Sequence, residues 1–243
     1  MKVEGGVALV TGANRGIGRG FVEALLARGI ARVYAAARRL DSLDAVVALD
    51  RNRVSPVGLD VTDARRLGEL ASECGDVSLL INNAGMTVYG RLIGAPSLDG
   101  ARQEMETNFW GPLQLCRAFA PVLAANGGGA IINVLSIGAM ACFPQVGSYC
   151  ASKFAAAAMT QGVRLELHGQ GTRVLGVYPG AVESDMSAGT PGPKVTALEH
   201  GHACLVALER GEDNLYPDFS AQAKHEDWLR DPAAFERSLL NRL

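Results

Sequence analysis

An apolar run, Val7-Ala8-Leu9-Val10, leads directly into Thr11-Gly12-Ala13-Asn14-Arg15-Gly16-Ile17-Gly18, and a helical stretch from about Gly16 to Arg28 follows. Few architectures send a buried strand through three glycines into a helix. Gly12 permits the sharp turn out of the strand, Gly16 lets the backbone approach a pyrophosphate, and Gly18 allows close helix–strand packing. The helix N-terminus then offers unpaired N–H groups and the positive end of its dipole to a phosphate. The spacing is G-x-x-x-G-x-G rather than the G-x-G-x-x-G of the commoner dinucleotide turn. Gly12, Asn14, Arg15, Gly16, Ile17 and Gly18 are therefore candidate cofactor contacts.

The same alternation of apolar strand and amphipathic helix continues almost to the end. Val33–Ala36, Ser55–Leu59, Val77–Ile81, Ala130–Leu135 and Arg173–Val177 read as further strands, with a short seventh at Asn214–Tyr216. Asp63 caps a helix running to about Glu73, and long helices occupy about 101–125 and 149–168. Short apolar strands separated by helix-length segments imply parallel pairing. The expected class is α/β: a doubly wound, Rossmann-like parallel sheet with helices on both faces. No linker or repeat divides residues 1–243, so one domain is expected, with a C-terminal tail from about 217. That tail packs as a terminal helix or covers a neighbouring subunit, with Trp228 and Phe235 as anchors.

A composition of 48% hydrophobic and 20% charged residues suits a large packed core. No apolar run reaches the ~18–20 residues of a membrane span, and Met1-Lys2-Val3-Glu4 lacks a secretory apolar core, so a cytoplasmic location and no membrane partner are expected. The five cysteines never form a C-x-x-C pair, which argues for reduced thiols and no zinc site. His200 and His202, two apart in a helix, point in different directions, so packing or surface roles are expected and metal is not. Residues 1–39 hold seven basic and two acidic side chains within a net charge of −2. Because they surround the glycine turn, a phosphorylated small molecule fits better than nucleic acid.

The second strand ends at Ala37, where selection of an unphosphorylated ribose usually places Asp or Glu. Arg38-Arg39 follow, and Arg15 lies in the loop. Guanidinium groups bind a 2′-phosphate that a carboxylate would repel, so the expected cofactor is NADP(H).

Tyr149 and Lys153 are four apart on one helix face. A free phenol has a pKa near ~10, and a neighbouring ammonium should draw it toward the working range. Ser136 stands thirteen positions before Tyr149, just past the fifth strand. Asn82-Asn83-Ala84-Gly85 ends the fourth strand, and Asn108 sits within a helix, where asparagine is mildly unfavourable.

Together these motifs resemble the short-chain dehydrogenase/reductase family in its compact single-domain branch. The resemblance runs from about Val7 to Met186. It implies that Ser136 polarises a carbonyl oxygen, that Tyr149 exchanges the proton, and that Lys153 holds the nicotinamide ribose and lowers the tyrosine pKa. It gives Asn108 a water in the proton relay and assigns hydride departure to the pro-S face. It implies further cofactor contacts at Asp60-Val61, beside the adenine, and at Asn83, Ala84, Gly85, Pro179, Gly180 and Val182. Ser184 replaces a usual threonine there. The implied partner is a small carbonyl or alcohol substrate. The implied assembly is a homodimer or homotetramer, the dimer using the 101–125 and 149–168 helices.

Ser187–Lys194 is shorter than the family's usual lid, so a fairly open mouth is expected. Gly138, Met140, Cys142, Phe143, Ala181 and Val182 are its expected lining, suited to a hydrophobic ketone. A ketone or aldehyde reductase is the leading reading. An acyl-carrier-linked ketoacyl reductase and a non-catalytic NADP-binding regulator are the alternatives, the last disfavoured because Asn108, Ser136, Tyr149 and Lys153 are all present.

Overall fold

The apolar runs become seven parallel strands: β1 (Val7–Thr11), β2 (Arg32–Ala37), β3 (Val54–Gly58), β4 (Leu79–Asn82), β5 (Ala130–Val134), β6 (Arg173–Val177) and β7 (Asn214–Leu215). The computed structural model describes residues 2–189 and 192–240. Strand order is β3-β2-β1-β4-β5-β6-β7, so the winding reverses between β1 and β4 and leaves a crevice beyond their carboxyl ends. Every residue of β4 and β5 is buried, as expected of strands covered on both faces.

Between the strands run α1 (Gly16–Ala27), α2 (Asp44–Val47), α3 (Ala64–Glu73), α4 (Asp99–Met105), α5 (Gly111–Ala125), α6 (Gly147–Leu167) and α7 (Ala197–Arg210), with α8 (Phe219–Arg230) and α9 (Pro232–Leu240) after β7. Alternate residues of β1 enter opposite cores. Ala8 and Val10 join Phe21, Leu25, Leu175 and Leu205 on one face, while Leu9 joins Leu70, Leu115 and Phe119 on the other. Asp63 caps α3 as expected, accepting from the Arg66 amide at 3.1 Å. Close backbone approach joins α1 to α7, where a Cβ on Gly20 would run into the Ala197 carbonyl.

One expectation changes, and of the two readings of the tail the structure takes the first. The helix over 101–125 is not continuous, because a π-helical turn at Glu106–Trp110 separates α4 from α5. Pro112 has no N–H to return to the carbonyl of Asn108 four residues back, and the backbone widens there. The tail, for its part, packs on its own chain as two helices. Phe235 and Leu239 are buried with Ala141, and Phe143 and Trp228 pack against them. Among the described residues, no helix is long and apolar enough to cross a membrane.

Candidate active site

A cleft of about 1740 Å³ lies over the carboxyl ends of the strands. Its floor is the glycine turn, in which Gly12 and Gly16 take φ of +63° and +49°, a region other side chains rarely adopt. A Cβ on Gly18 would collide with the Gly12 carbonyl, so helix and turn pack backbone to backbone. Strand β4 pins this turn. Thr11 Oγ1 accepts from the amides of Asn83 and Ala84 at 3.0 Å each, and Asn83 Nδ2 donates to the Thr11 and Gly12 carbonyls at 2.8 and 3.2 Å. Asn14, Arg15, Ile17, Ala84 and Gly85 line the cleft beside it.

At the end nearest β2, Ala37, Arg38, Arg39, Asp60 and Val61 form the wall, together with Ser42 and Thr62. Asp41 chelates Arg39 through contacts of 3.0 and 2.6 Å. Asp60 is turned toward its own loop, accepting from the Thr62 amide at 3.0 Å and hydroxyl at 2.8 Å. Arg15 reaches over the glycine turn to an ion pair with Asp185.

At the opposite end Ser136, Tyr149 and Lys153 face the cleft. Ser136 caps the short turn Ile137–Ala139, its Oγ accepting from the Gly138 amide at 3.0 Å. Lys153 Nζ donates to the Val134 carbonyl at 2.9 Å and lies 5.7 Å from the Tyr149 ring centre. Pro179, Gly180, Val182 and Ser184 complete this side.

The family model for short chain dehydrogenase matches residues 6–192. The chain belongs to the short-chain dehydrogenase family. It is an oxidoreductase of the kind that acts between alcohol and carbonyl groups. A crystal structure of a short chain dehydrogenase from Burkholderia cenocepacia J2315 in complex with NADP is 44% identical, covers 99% of each chain and superposes with a TM-score of 0.93. An uncharacterized oxidoreductase of Myxococcus xanthus is 34% identical over 84% of this chain and 82% of its own length. Glycine betaine reductase ATRR of Emericella nidulans is also 34% identical, over 76% of this chain but only 15% of that much longer protein.

Every residue expected at the cofactor or reacting centre of this short-chain dehydrogenase lines the cleft except Asn108. Asn108 is buried in the π-helical turn, behind the wall. Its Oδ1 accepts from the Met86 amide at 2.9 Å, and its Nδ2 donates to the Met86 carbonyl and the Ser152 hydroxyl, both at 2.9 Å. Through these bonds the Asn108 side chain clamps the loop after β4 to α6.

The electrostatic expectation also needs correction. Burial pushes the Tyr149 phenol up to about 12, opposed by the Ser136 hydroxyl. Burial pulls Lys153 down to about 8. Lys153 is buried and its ammonium is aimed at the Val134 carbonyl, so burial outweighs the expected lowering of the half-buried Tyr149 phenol.

The expected mouth changes as well. Gly138, Phe143, Ala181 and Val182 line it, but Met140 packs toward the second core and Cys142 is exposed outside it. Of the expected loop Ser187–Lys194, Thr190 and Pro191 lie outside the described residues. A wall the sequence left unassigned comes from α8, where Asp218, Phe219, Ser220, Ala223 and Lys224 border the cleft. Asp218 is 3% exposed and accepts from the amides of Gly180 at 2.7 Å, Ala181 at 3.2 Å and Ala221 at 2.9 Å. The Pro217-Asp218 step before a helical stretch is a capping signal that could have drawn attention to it. His200 is a packing residue, edge-on to Phe21 with ring centres 5.8 Å apart.

Proposed function

We propose that this short-chain dehydrogenase is an NADPH-dependent reductase of ketones or aldehydes. The observation that carries the reading is one continuous cleft with Arg38 and Arg39 at one end, Arg15 over the glycine turn, and the Ser136, Tyr149 and Lys153 set at the other end. The chain fits the 2′-phosphorylated cofactor. Two left-handed glycines leave backbone room for a pyrophosphate, Ala37 ends β2 without a carboxylate, and Arg15, Arg38 and Arg39 line the same cleft with guanidinium groups suited to a 2′-phosphate. The NADP in the Burkholderia cenocepacia relative supports the same reading.

When bound, NADPH supplies the hydride to the carbonyl carbon. Ser136 Oγ uses a lone pair on the Gly138 amide, which leaves its O–H to donate to the carbonyl oxygen. Tyr149 gives that oxygen the proton that completes the alcohol. Lys153 spends one N–H on Val134 and keeps others for ribose hydroxyls. Met86, Phe143 and Phe219 around this end favour an apolar substituent on the substrate. The test is NADPH consumption with aryl ketones, steroids, sugars and ketoacyl thioesters. Turnover with an apolar ketone is expected, with kcat/KM at least about tenfold higher for NADPH than for NADH. No carbonyl turnover overturns the reductase, and equal use of NADH overturns the cofactor assignment.

We also infer a homo-oligomer built through α4–α5 and α6. Phe154 and Leu165 are 43% and 78% exposed on α6, and at eleven residues apart they share one face. Trp110, at 43% exposure, opens the corresponding outward surface before α5. In sedimentation velocity, Phe154→Glu combined with Leu165→Glu should convert a dimer or tetramer to monomer. A monomeric wild type overturns the inference.

A further inference from the structure

We propose that Asp185 sets the preference between NADPH and NADH by competing with the 2′-phosphate for Arg15. The inference rests on the NADPH reading above and concerns how the phosphate seat is tuned. Arg15, Arg38 and Arg39 all line the cofactor cleft, and two of them already hold carboxylates: Arg39 with Asp41, and Arg15 with Asp185. Arg38 has no ion-pair partner among the described residues.

The two pairs differ in kind. Asp41 chelates Arg39 from two residues away, within the same turn. Arg15 and Asp185 are 170 residues apart in sequence and meet over the cleft. Asp185 opens the short turn Asp185–Ser187, which is held in place without Arg15. Tyr89 donates its hydroxyl to the Met186 carbonyl at 3.0 Å, Lys194 Nζ donates to the Ser187 carbonyl at 2.6 Å, and the Ser184 amide donates to Ser187 Oγ at 3.2 Å. The turn also touches the glycine loop, since a Cβ on Gly16 would lie 3.2 Å from Ser184 Cβ. The carboxylate is therefore presented to Arg15 by a fixed backbone, and the guanidinium must leave it to reach a phosphate. NADH asks for no such exchange.

Both side chains are 72% exposed, so Asp185→Asn should fold normally and change only the charge opposite Arg15. The experiment measures dissociation constants for NADPH and NADH by nucleotide fluorescence in the wild type, Asp185→Asn, Arg15→Ala and the double variant. Asp185→Asn should tighten NADPH about threefold to fivefold and leave NADH unchanged. In the Arg15→Ala background the same substitution should no longer separate the two cofactors, because its target is gone. Equal weakening of both cofactors would identify the turn as a simple clamp and overturn the proposal, as would unchanged NADPH affinity. Wild-type affinities that do not favour NADPH overturn the NADPH reading itself, and this inference with it.

Discussion

Tyr149→Phe is expected to lose about a thousandfold or more in turnover while binding NADPH with unchanged affinity. The substitution keeps the ring, which packs against the Gly138 turn and lies 5.7 Å from Lys153 Nζ, and removes only the hydroxyl. Stopped-flow reduction with an accepted ketone, beside a fluorescence titration of the cofactor, separates chemistry from binding. Near-normal turnover would remove Tyr149 from the mechanism.

The wild type carries a matching pH signature. A phenol pushed up to about 12 by burial stays protonated through the neutral range, the state that donates during reduction. Lys153, pulled down to about 8 by burial, loses its proton as pH rises through that value. The sign follows: kcat/KM for carbonyl reduction should be level below about 8 and fall above it, as the charge supporting the site is lost. Alcohol oxidation needs the phenolate and should gain with rising pH instead. A reduction rate that climbs through that range would contradict the assignment.

Legibility in the sequence followed the range of the interactions. Strand β6 matches its apolar run end to end, and Asp63 caps α3 where an acidic residue precedes a periodic stretch. Both signals are local. The proposed reacting residues were readable for a related reason: Ser136 follows a buried strand and Tyr149 precedes Lys153 by one helical turn, so each position fixes its own direction. What stayed hidden depends on distant partners. Met86 engages Asn108 at the π-helical turn, and the Arg15–Asp185 pair joins two loops at opposite ends of the family motif. The rise in the Tyr149 pKa comes from burial, which the Tyr-x-x-x-Lys spacing cannot express. Met140 and Cys142 sit beside true lining residues in the chain, yet the turn after Ser136 directs them elsewhere.

Asp218 is the largest consequence of those hidden contacts, and Asp218→Ala is expected to cost about 3–5 kcal/mol of stability. Its carboxylate receives three amides from two segments, Gly180 and Ala181 beyond β6 and Ala221 in the first turn of α8. Removing it leaves one buried and two part-buried donors unpaired, a penalty that exceeds the net value of the bonds themselves. Against a typical total of about 5–15 kcal/mol, that is a large fraction. Asp218→Asn should fall between: one oxygen can still serve Ala181 and Ala221, while the amide nitrogen would face the Gly180 N–H. The carboxylate also lies close enough to act on His200, partly offsetting the burial that still pulls that imidazole down to about 4, so its loss is felt on α7 as well. Because Phe219 and Ser220 border the cleft from the helix that Asp218 anchors, KM for the carbonyl substrate should rise along with the loss of stability. Urea unfolding and limited proteolysis of 219–240 provide the readouts. A midpoint and cleavage rate equal to wild type would mean that α8 is held by its aromatic and apolar contacts alone, with Tyr216 stacked on His225 at 3.7 Å and Phe235 buried near Trp228.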